Sequence, residues 1–363
     1  MEKVSNRQLT GIIVMILVSG IMMSGGASRS MQDSWIASAL AAILAVPFFL
    51  MYARLADLFP GKGLFEIAYE VFGRFFGGII VFLISFYAFH LGGMAMKNFS
   101  EFNMDVSMPE TPQLVTLIMF GAATLYIIKK GIEVLGRFTD FFLPIMIFLI
   151  LLMNVLSVGK MNFSNVLPVL KSKPEDFFSD VFSAFAFPVS EVSLAACLMG
   201  FKKNKTKTRK IFLYGLLVGG ALLVAETLRS ITVLGTHTIA LTYYPSYVAT
   251  GVINIMDFFT RIEVIVSAAF LFAQTVKVCV CVYVFSSGTG SILKSTDYRT
   301  LAVPTVLGMI ALASVVFKNT PDTYKFLQIY KFFAPFFQIA LPAVIFAGAQ
   351  FYLKRERSLT API

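Results

Sequence analysis

Six charged residues, Glu191, Glu226, Arg229, Arg261, Glu263 and Lys277, stand within or at the ends of long runs of Leu, Ile, Val, Phe, Ala and Met. In lipid each charge costs about 2.5–3.5 kcal/mol on insertion scales, so each needs a partner or a cavity. Their available chemistry is therefore ion pairing, ion or proton coupling, or ligand contact. Glu226 and Arg229 are three apart, close enough to pair on one helix face, either as a structural pair near the outer surface or as a coupling-ion site. Arg261 and Glu263 are two apart and point to different sides, which suits a structural or gating network with other helices. Lys277 has no acid four residues away on its own helix. Its ammonium must meet Glu191, a carbonyl from an interrupted helix, or water; in a functional role it would replace a metal ion or touch an anionic ligand.

Other side chains are less directive. Tyr87, with Leu91 one turn later, could close a pocket, but it is one aromatic among 38 Phe and 13 Tyr. His90 reads as a hydrogen-bonded core histidine. No nucleophile sits in a motif with a base and no acid pair has catalytic spacing, so an enzyme is not expected. The three cysteines, Cys197, Cys279 and Cys281, lie in apolar runs without metal-ligand spacing to histidine, and no cofactor is implied.

These groups must be positioned by membrane helices. Of 363 residues, 57% are apolar and 14% charged, against about 25% charged in soluble domains. Lipid satisfies no free backbone group, and the runs are too continuous for barrel strands, so the fold is an all-α polytopic membrane protein. The runs predict ten transmembrane helices near 9–28, 34–56, 75–98, 113–129, 138–158, 177–200, 209–234, 260–286, 300–317 and 332–353. The net charge of +10 is spread over short connections, leaving no basic domain for nucleic acid. With the N-terminus inside, inner connections carry about 19 cations and outer ones about 8, which places both termini in the cytoplasm. The first run reads as an uncleaved helix rather than a signal peptide.

Five spans (1–158), a connection (159–176) and five more (177–357) form a single membrane domain. An odd number per half reverses the second half, as an inverted repeat requires. The first helix of each half is interrupted, by Ser19, Gly20, Ser24, Gly25 and Gly26 in one and by Phe187-Pro188-Val189-Ser190-Glu191 in the other. Glycine frees the backbone and proline removes a donor, so peptide groups there can turn toward a ligand. Paired breaks mark midplane sites in repeat-built transporters; for the first helix, close packing is the competing explanation. The connection from Gly235 to Phe259, with Tyr243-Tyr244-Pro245-Ser246-Tyr247, suits a lid or an ordinary surface loop.

Taken in order, the Gly-interrupted first helix before Asp33-Ser34-Trp35-Ile36, the Phe187-Pro188-Val189-Ser190-Glu191 segment, Tyr244-Pro245-Ser246, Arg261-Ile262-Glu263 and Lys277 span almost the whole chain. In these features the sequence resembles the spore germinant-receptor B subunits, the spore permease branch of the amino acid/polyamine/organocation superfamily. The resemblance implies a LeuT-like 5+5 inverted repeat with helices 1 and 6 broken. It also implies residence in the endospore inner membrane and assembly with A and C subunits into a receptor that detects a small nutrient. Carried over by position, Val18, Ser19, Gly20, Tyr87, Leu91, Phe187, Pro188, Lys277 and Cys281 would line the ligand pocket. Glu191 and the Arg261/Glu263 pair match family positions without an assigned role. Where relatives often read Leu-Pro-Arg after the first-helix glycine, this chain has Ile21-Met22-Met23-Ser24-Gly25-Gly26. For an amino acid, amides of the first break would hold the carboxylate and carbonyls near Ala184 to Phe187 the ammonium. A proton- or ion-coupled amino acid permease is the alternative function.

Overall fold

The computed structural model describes residues 2–23, 28–107, 109–203, 208–252, 263–295 and 297–360. Twelve α-helices are seen among them: α1 (Asn6–Val18), α2 (Ser34–Leu58), α3 (Leu64–Phe102), α4 (Gln113–Lys130), α5 (Ile132–Ser157) and α6 (Pro174–Ala186). The second half holds α7 (Arg209–Ala240), α8 (Pro245–Gly251), α9 (Glu263–Leu293), α10 (Arg299–Val315), α11 (Thr320–Pro335) and α12 (Leu341–Thr360). Eight of the described helical stretches are long and apolar enough to cross a membrane, and two shorter apolar helices, α1 and α10, bring the number to ten. The chain is an integral membrane protein.

Local sequence sets the helix limits. Ser5 and Gln8 form a reciprocal capping box that starts α1. Gly131, at φ +105°, makes the tight turn between α4 and α5. Pro174 opens α6 at a position where its missing N–H costs nothing, with Glu175 and Asp176 against the positive end of the helix. At the other end of that span, α6 stops at Ala186, Phe187 is extended, and a 13-residue stretch of 3-10 helix, Val189–Phe201, completes the crossing. A run of this length is unusual for 3-10 geometry.

Several boundaries differ from expectation. The third span begins at Leu64, not near 75, because Gly73 (φ +71°) kinks a helix that continues on both sides of it. The last span is two helices, α11 and α12, joined by a π-helical stretch, Phe336–Ala340. The connection after α7 is partly ordered as α8, with Tyr244, Pro245 and Ser246 buried.

Small residues let the central helices approach. In the antiparallel pair α3/α9, a Cβ on Gly92 would lie 3.0 Å from the Cys281 Cβ, and the Phe102 and Phe270 rings are 5.2 Å apart one end further along. In the parallel pair α1/α7, Gly215 faces Ile13 and Gly219 faces Leu17, with hypothetical Cβ contacts of 2.4 and 2.5 Å. Lipid provides no hydrophobic drive between helices, so such close backbone packing is what holds them.

Candidate functional site

The two interrupted spans touch at three depths. At the N-terminal end, Val4 N–H donates to the Phe201 carbonyl and Lys203 N–H donates to the Val4 carbonyl, each at 2.9 Å. At the far end, the Asp180 carboxylate on α6 accepts from Ser28 Oγ (2.6 Å), Ser30 Oγ (2.6 Å) and Ser30 N–H (2.7 Å). Between them, Gly20 lies against Pro188 so closely that a Cβ there would be 2.4 Å from the Pro188 Cβ. The chain leaves α1 in a turn from Ser19 to Met23. Ser24, Gly25 and Gly26, the rest of the expected break, lie outside the described residues.

A chain of buried polar groups runs from the sixth-span break across four helices. Lys277 Nζ on α9 donates to Glu191 Oε2 at 2.5 Å, and neither side chain is more than 2% exposed. The same ammonium stands 5.1 Å from the centre of the Phe187 ring. Tyr330 on α11 donates to Glu191 Oε1 at 3.0 Å. Its oxygen meets the Tyr87 hydroxyl of α3 at 2.8 Å, and Tyr87 accepts in turn from Gln338 Nε2 at 2.7 Å. Gln338 Nε2 also donates to the Ala186 carbonyl at 2.9 Å. The polarity of this chain is fixed: a carboxylate only accepts and an amide NH₂ only donates, so the Tyr330 proton points to Glu191 and the Tyr87 proton to Tyr330. The Ala186 carbonyl is available because Pro188 ends the ladder that would have used it.

The sequence-predicted residues divide around this chain. Glu191, Tyr87, Phe187 and Lys277 belong to it or touch it, and Gly20 and Pro188 form the contact beside it. Of the three partners open to Lys277, the structure selects Glu191. Ser19 Oγ donates to the Ile16 carbonyl of its own helix. Leu91 is buried core on α3, and Cys281 lies one turn beyond Lys277, against Gly92. Ala184 is half-buried on the last turn of α6. Val18 lines a cavity of about 30 Å³, with Ile21, Met153, Glu226, Arg229 and Ala269. This is space for about one water molecule.

Glu226 and Arg229 pair at 2.7 Å as their spacing allows, and both side chains are buried in the protein. Arg229 also donates to the Ser246 carbonyl (2.9 Å) and Thr250 Oγ1 (3.1 Å) on α8, while Glu226 accepts from Asn154 Nδ2 on α5 at 2.6 Å. This network fastens α8 to α5 and α7. Arg261 lies outside the described residues, and the side chain of Glu263 likewise. His90 departs from the expected hydrogen-bonded core residue: Nδ1 has no partner among the described residues, and the ring sits beside Phe326 and Phe333.

Sequence reading missed Tyr330, Gln338 and a third buried pair, Lys97 and Glu101 on α3, 3.4 Å apart. Glu101 also accepts from Thr323 Oγ1 of α11 at 2.9 Å. The i, i+4 spacing of Lys97 and Glu101 at the end of an apolar run was a usable signal. So was Gln338, an isolated amide in the Phe-rich tenth run. A larger opening of about 420 Å³ lies at the N-terminal end, bordered by Glu2, Glu66, Cys197, Tyr283, Asp297 and Tyr298.

The all-helical membrane architecture, with its first and sixth spans broken and in contact, is that of the LeuT-like class of transporter folds. Solved structures agree on the fold. Mhp1, a nucleobase-cation-symport-1 family transporter in a closed conformation with bromovinylhydantoin bound, superposes with a TM-score of 0.74 at 12% identity, over 98% of this chain and 80% of that one. MhsT in complex with L-phenylalanine gives 0.59 at 13% identity, over 92% of this chain and 88% of that one. Residues 3–323 match the model of the family described as "Spore germination protein", and the chain belongs to that family. Among its relatives is spore germination protein KB of Bacillus subtilis (strain 168), 22% identical over 98% of this chain and 97% of that protein. The putative spore germination protein YfkT of the same organism is 23% identical over 87% and 86%. The protein is thus a germinant-receptor or permease-like membrane protein, in a family whose fold is that of transporters rather than of enzymes.

Proposed function

We propose that this chain is the nutrient-sensing membrane subunit of a spore germinant receptor and that it binds a small ligand, an amino acid, between its first and sixth spans. The observation that carries the reading is the Ala186 carbonyl, freed from its helix beside the Gly20–Pro188 contact and within one hydrogen bond of the chain that ends at Lys277. A freed carbonyl suits an ammonium, and amides of the first break suit a carboxylate. MhsT, with the same fold, holds L-phenylalanine, which favours an amino acid. On this reading residues 1–158 and 177–357 are the two repeats, joined by 159–176. Both termini face the cytoplasm, the membrane is the spore inner membrane, and receptor A and C subunits are the partners. Relatives named spore germination proteins B2 and A2 are consistent with a receptor family.

Ligand occupancy would bias one of two arrangements of the broken helices, and the partner subunits would read that bias. The test is germination of spores carrying bulky substitutions at Gly20, Ala184 or Tyr87. Loss of the nutrient response with normal membrane levels supports the pocket; unchanged dose responses in all three refute it.

A proton- or ion-coupled amino acid permease is the second reading, favoured by the opening of about 420 Å³ at the N-terminal end. Accumulation of an amino acid by vesicles containing this chain alone would select it over the sensor.

A further inference from the structure

We propose that Gln338 is a ligand-contacting residue that reads the primary ammonium of the bound molecule, an inference that rests on the two helix breaks being the ligand seat. Gln338 lies in the π-helical stretch between α11 and α12 and is fully buried. Widened turns of this type recur at functional positions. The stretch is held from α2, where the Tyr52 hydroxyl donates to the Gln338 main-chain carbonyl.

Chemistry fixes which end of the amide is which. One end faces the Ala186 carbonyl at 2.9 Å and the Tyr87 oxygen at 2.7 Å. The Tyr87 proton is committed to Tyr330, so both neighbours are acceptors and the NH₂ must face them. The carbonyl end, Oε1, is left buried with no hydrogen-bond partner among the described residues. A buried acceptor without a donor is costly, and this one belongs to the same amide that occupies the carbonyl of the broken helix.

A primary ammonium carries three donors and no acceptor. Seated at the sixth-span break, it gives one N–H to the Ala186 carbonyl, displacing the Gln338 NH₂, and a second to Gln338 Oε1. The Gln338 NH₂ keeps its bond to Tyr87. Both new bonds are charge-assisted, about twice as strong as neutral ones, and they pair the free acceptor in exchange for the one neutral N–H bond that Gln338 gives up at Ala186. A ligand of the same shape without the amine makes neither bond. Gln338 therefore selects small primary amines, α-amino acids among them, over their desamino analogues.

The experiment uses the full chain in lipid nanodiscs. The twenty common L-amino acids are screened calorimetrically, and the tightest binder is then compared with its own desamino carboxylic acid. The expected result is that the wild type prefers the amino acid by at least about tenfold. Gln338→Leu should weaken the amino acid by about ten- to a hundredfold while leaving the desamino acid within about twofold. Gln338→Glu, which keeps an acceptor, should keep the preference for the amine. Equal weakening of both ligands by Gln338→Leu, or no effect on either, overturns the proposal. Should Gln338→Leu not fold, Gln338→Glu decides, and loss of the amine preference there overturns it. If Ala184→Trp abolishes binding while Gln338→Leu changes nothing, the seat stands and only the role of Gln338 falls. A wild type that binds none of the twenty removes the seat and the proposal together.

Discussion

Lys277 on α9 and Glu191 beyond the sixth-span break face each other at 2.5 Å, both almost wholly buried. A charge pair in this position links the eighth span to the broken sixth, and its two ends are not interchangeable. Removing one partner of a buried pair strands the other, at a cost of about 3–5 kcal/mol, whereas replacing both with apolar groups is often close to neutral. Lys277→Met alone is therefore expected to lower thermal stability strongly, and Lys277→Met with Glu191→Leu to restore most of the loss. Melting of the purified variants checks this; additive losses in the double variant would show that the two groups act independently.

The Gly20–Pro188 contact predicts an effect for one methyl group. A Cβ at position 20 would lie 2.4 Å from the Pro188 Cβ and 2.8 Å from its Cγ. The proline ring is part of a backbone turn and cannot swing aside as a flexible side chain would. Gly20→Ala should destabilise by about 1–3 kcal/mol, the usual cost of overpacking. A thermal melt within error of wild type would mean the two breaks part freely.

Asp33 is fully buried before α2, where it accepts from Leu170 N–H (2.7 Å), Ser172 N–H (3.0 Å) and Ser172 Oγ (2.7 Å). These bonds tie the 159–176 connection to the far end of the first span. Charged hydrogen bonds contribute about 1.5–3 kcal/mol each, so Asp33→Asn should raise amide exchange at 169–173 well before the core opens. Unchanged exchange in that segment would mean that other contacts hold the connection.

Tyr330 relays between Glu191 and Tyr87, and its hydroxyl is the only part of it that the polar chain uses. Tyr330→Phe keeps the ring contacts and removes both bonds. The expected loss is about 1–3 kcal/mol, and the nutrient response should move to higher concentration. Tyr324→Phe, on the same helix but outside the chain, should leave the response in place. Equal effects on the response from both substitutions would dissociate it from the chain.

The membrane class, the ten crossings and the two interruptions were readable because they depend on composition and on Gly and Pro, whose effects are local. The Glu226–Arg229 pair was readable for the same reason, being spaced within one helix turn. Its burial was not, since that follows from α8 folding back to supply Ser246 and Thr250. Lys277 could be seen to need a partner, but a choice among Glu191, a carbonyl and water depends on how α9 packs on the sixth span. Tyr330 was missed because it precedes the expected start of the tenth run at 332, and Gln338 because it is a single uncharged amide inside that run. Helix α11 starts at Thr320, and its polar positions turn inward only through the assembled bundle. His90 shows the reverse error: its residue type suggested a hydrogen bond, and aromatic neighbours from α11 surround it instead.

The account turns on whether a small molecule sits where the first and sixth spans are broken. Equilibrium binding of radiolabelled L-amino acids to the purified full chain, wild type against Ala184→Trp and Tyr87→Trp, tests this directly. The account predicts saturable wild-type binding of at least one amino acid, and loss of that binding in both variants while their ligand-free melting transitions remain cooperative. Saturable binding with the same dissociation constant in all three proteins would contradict it.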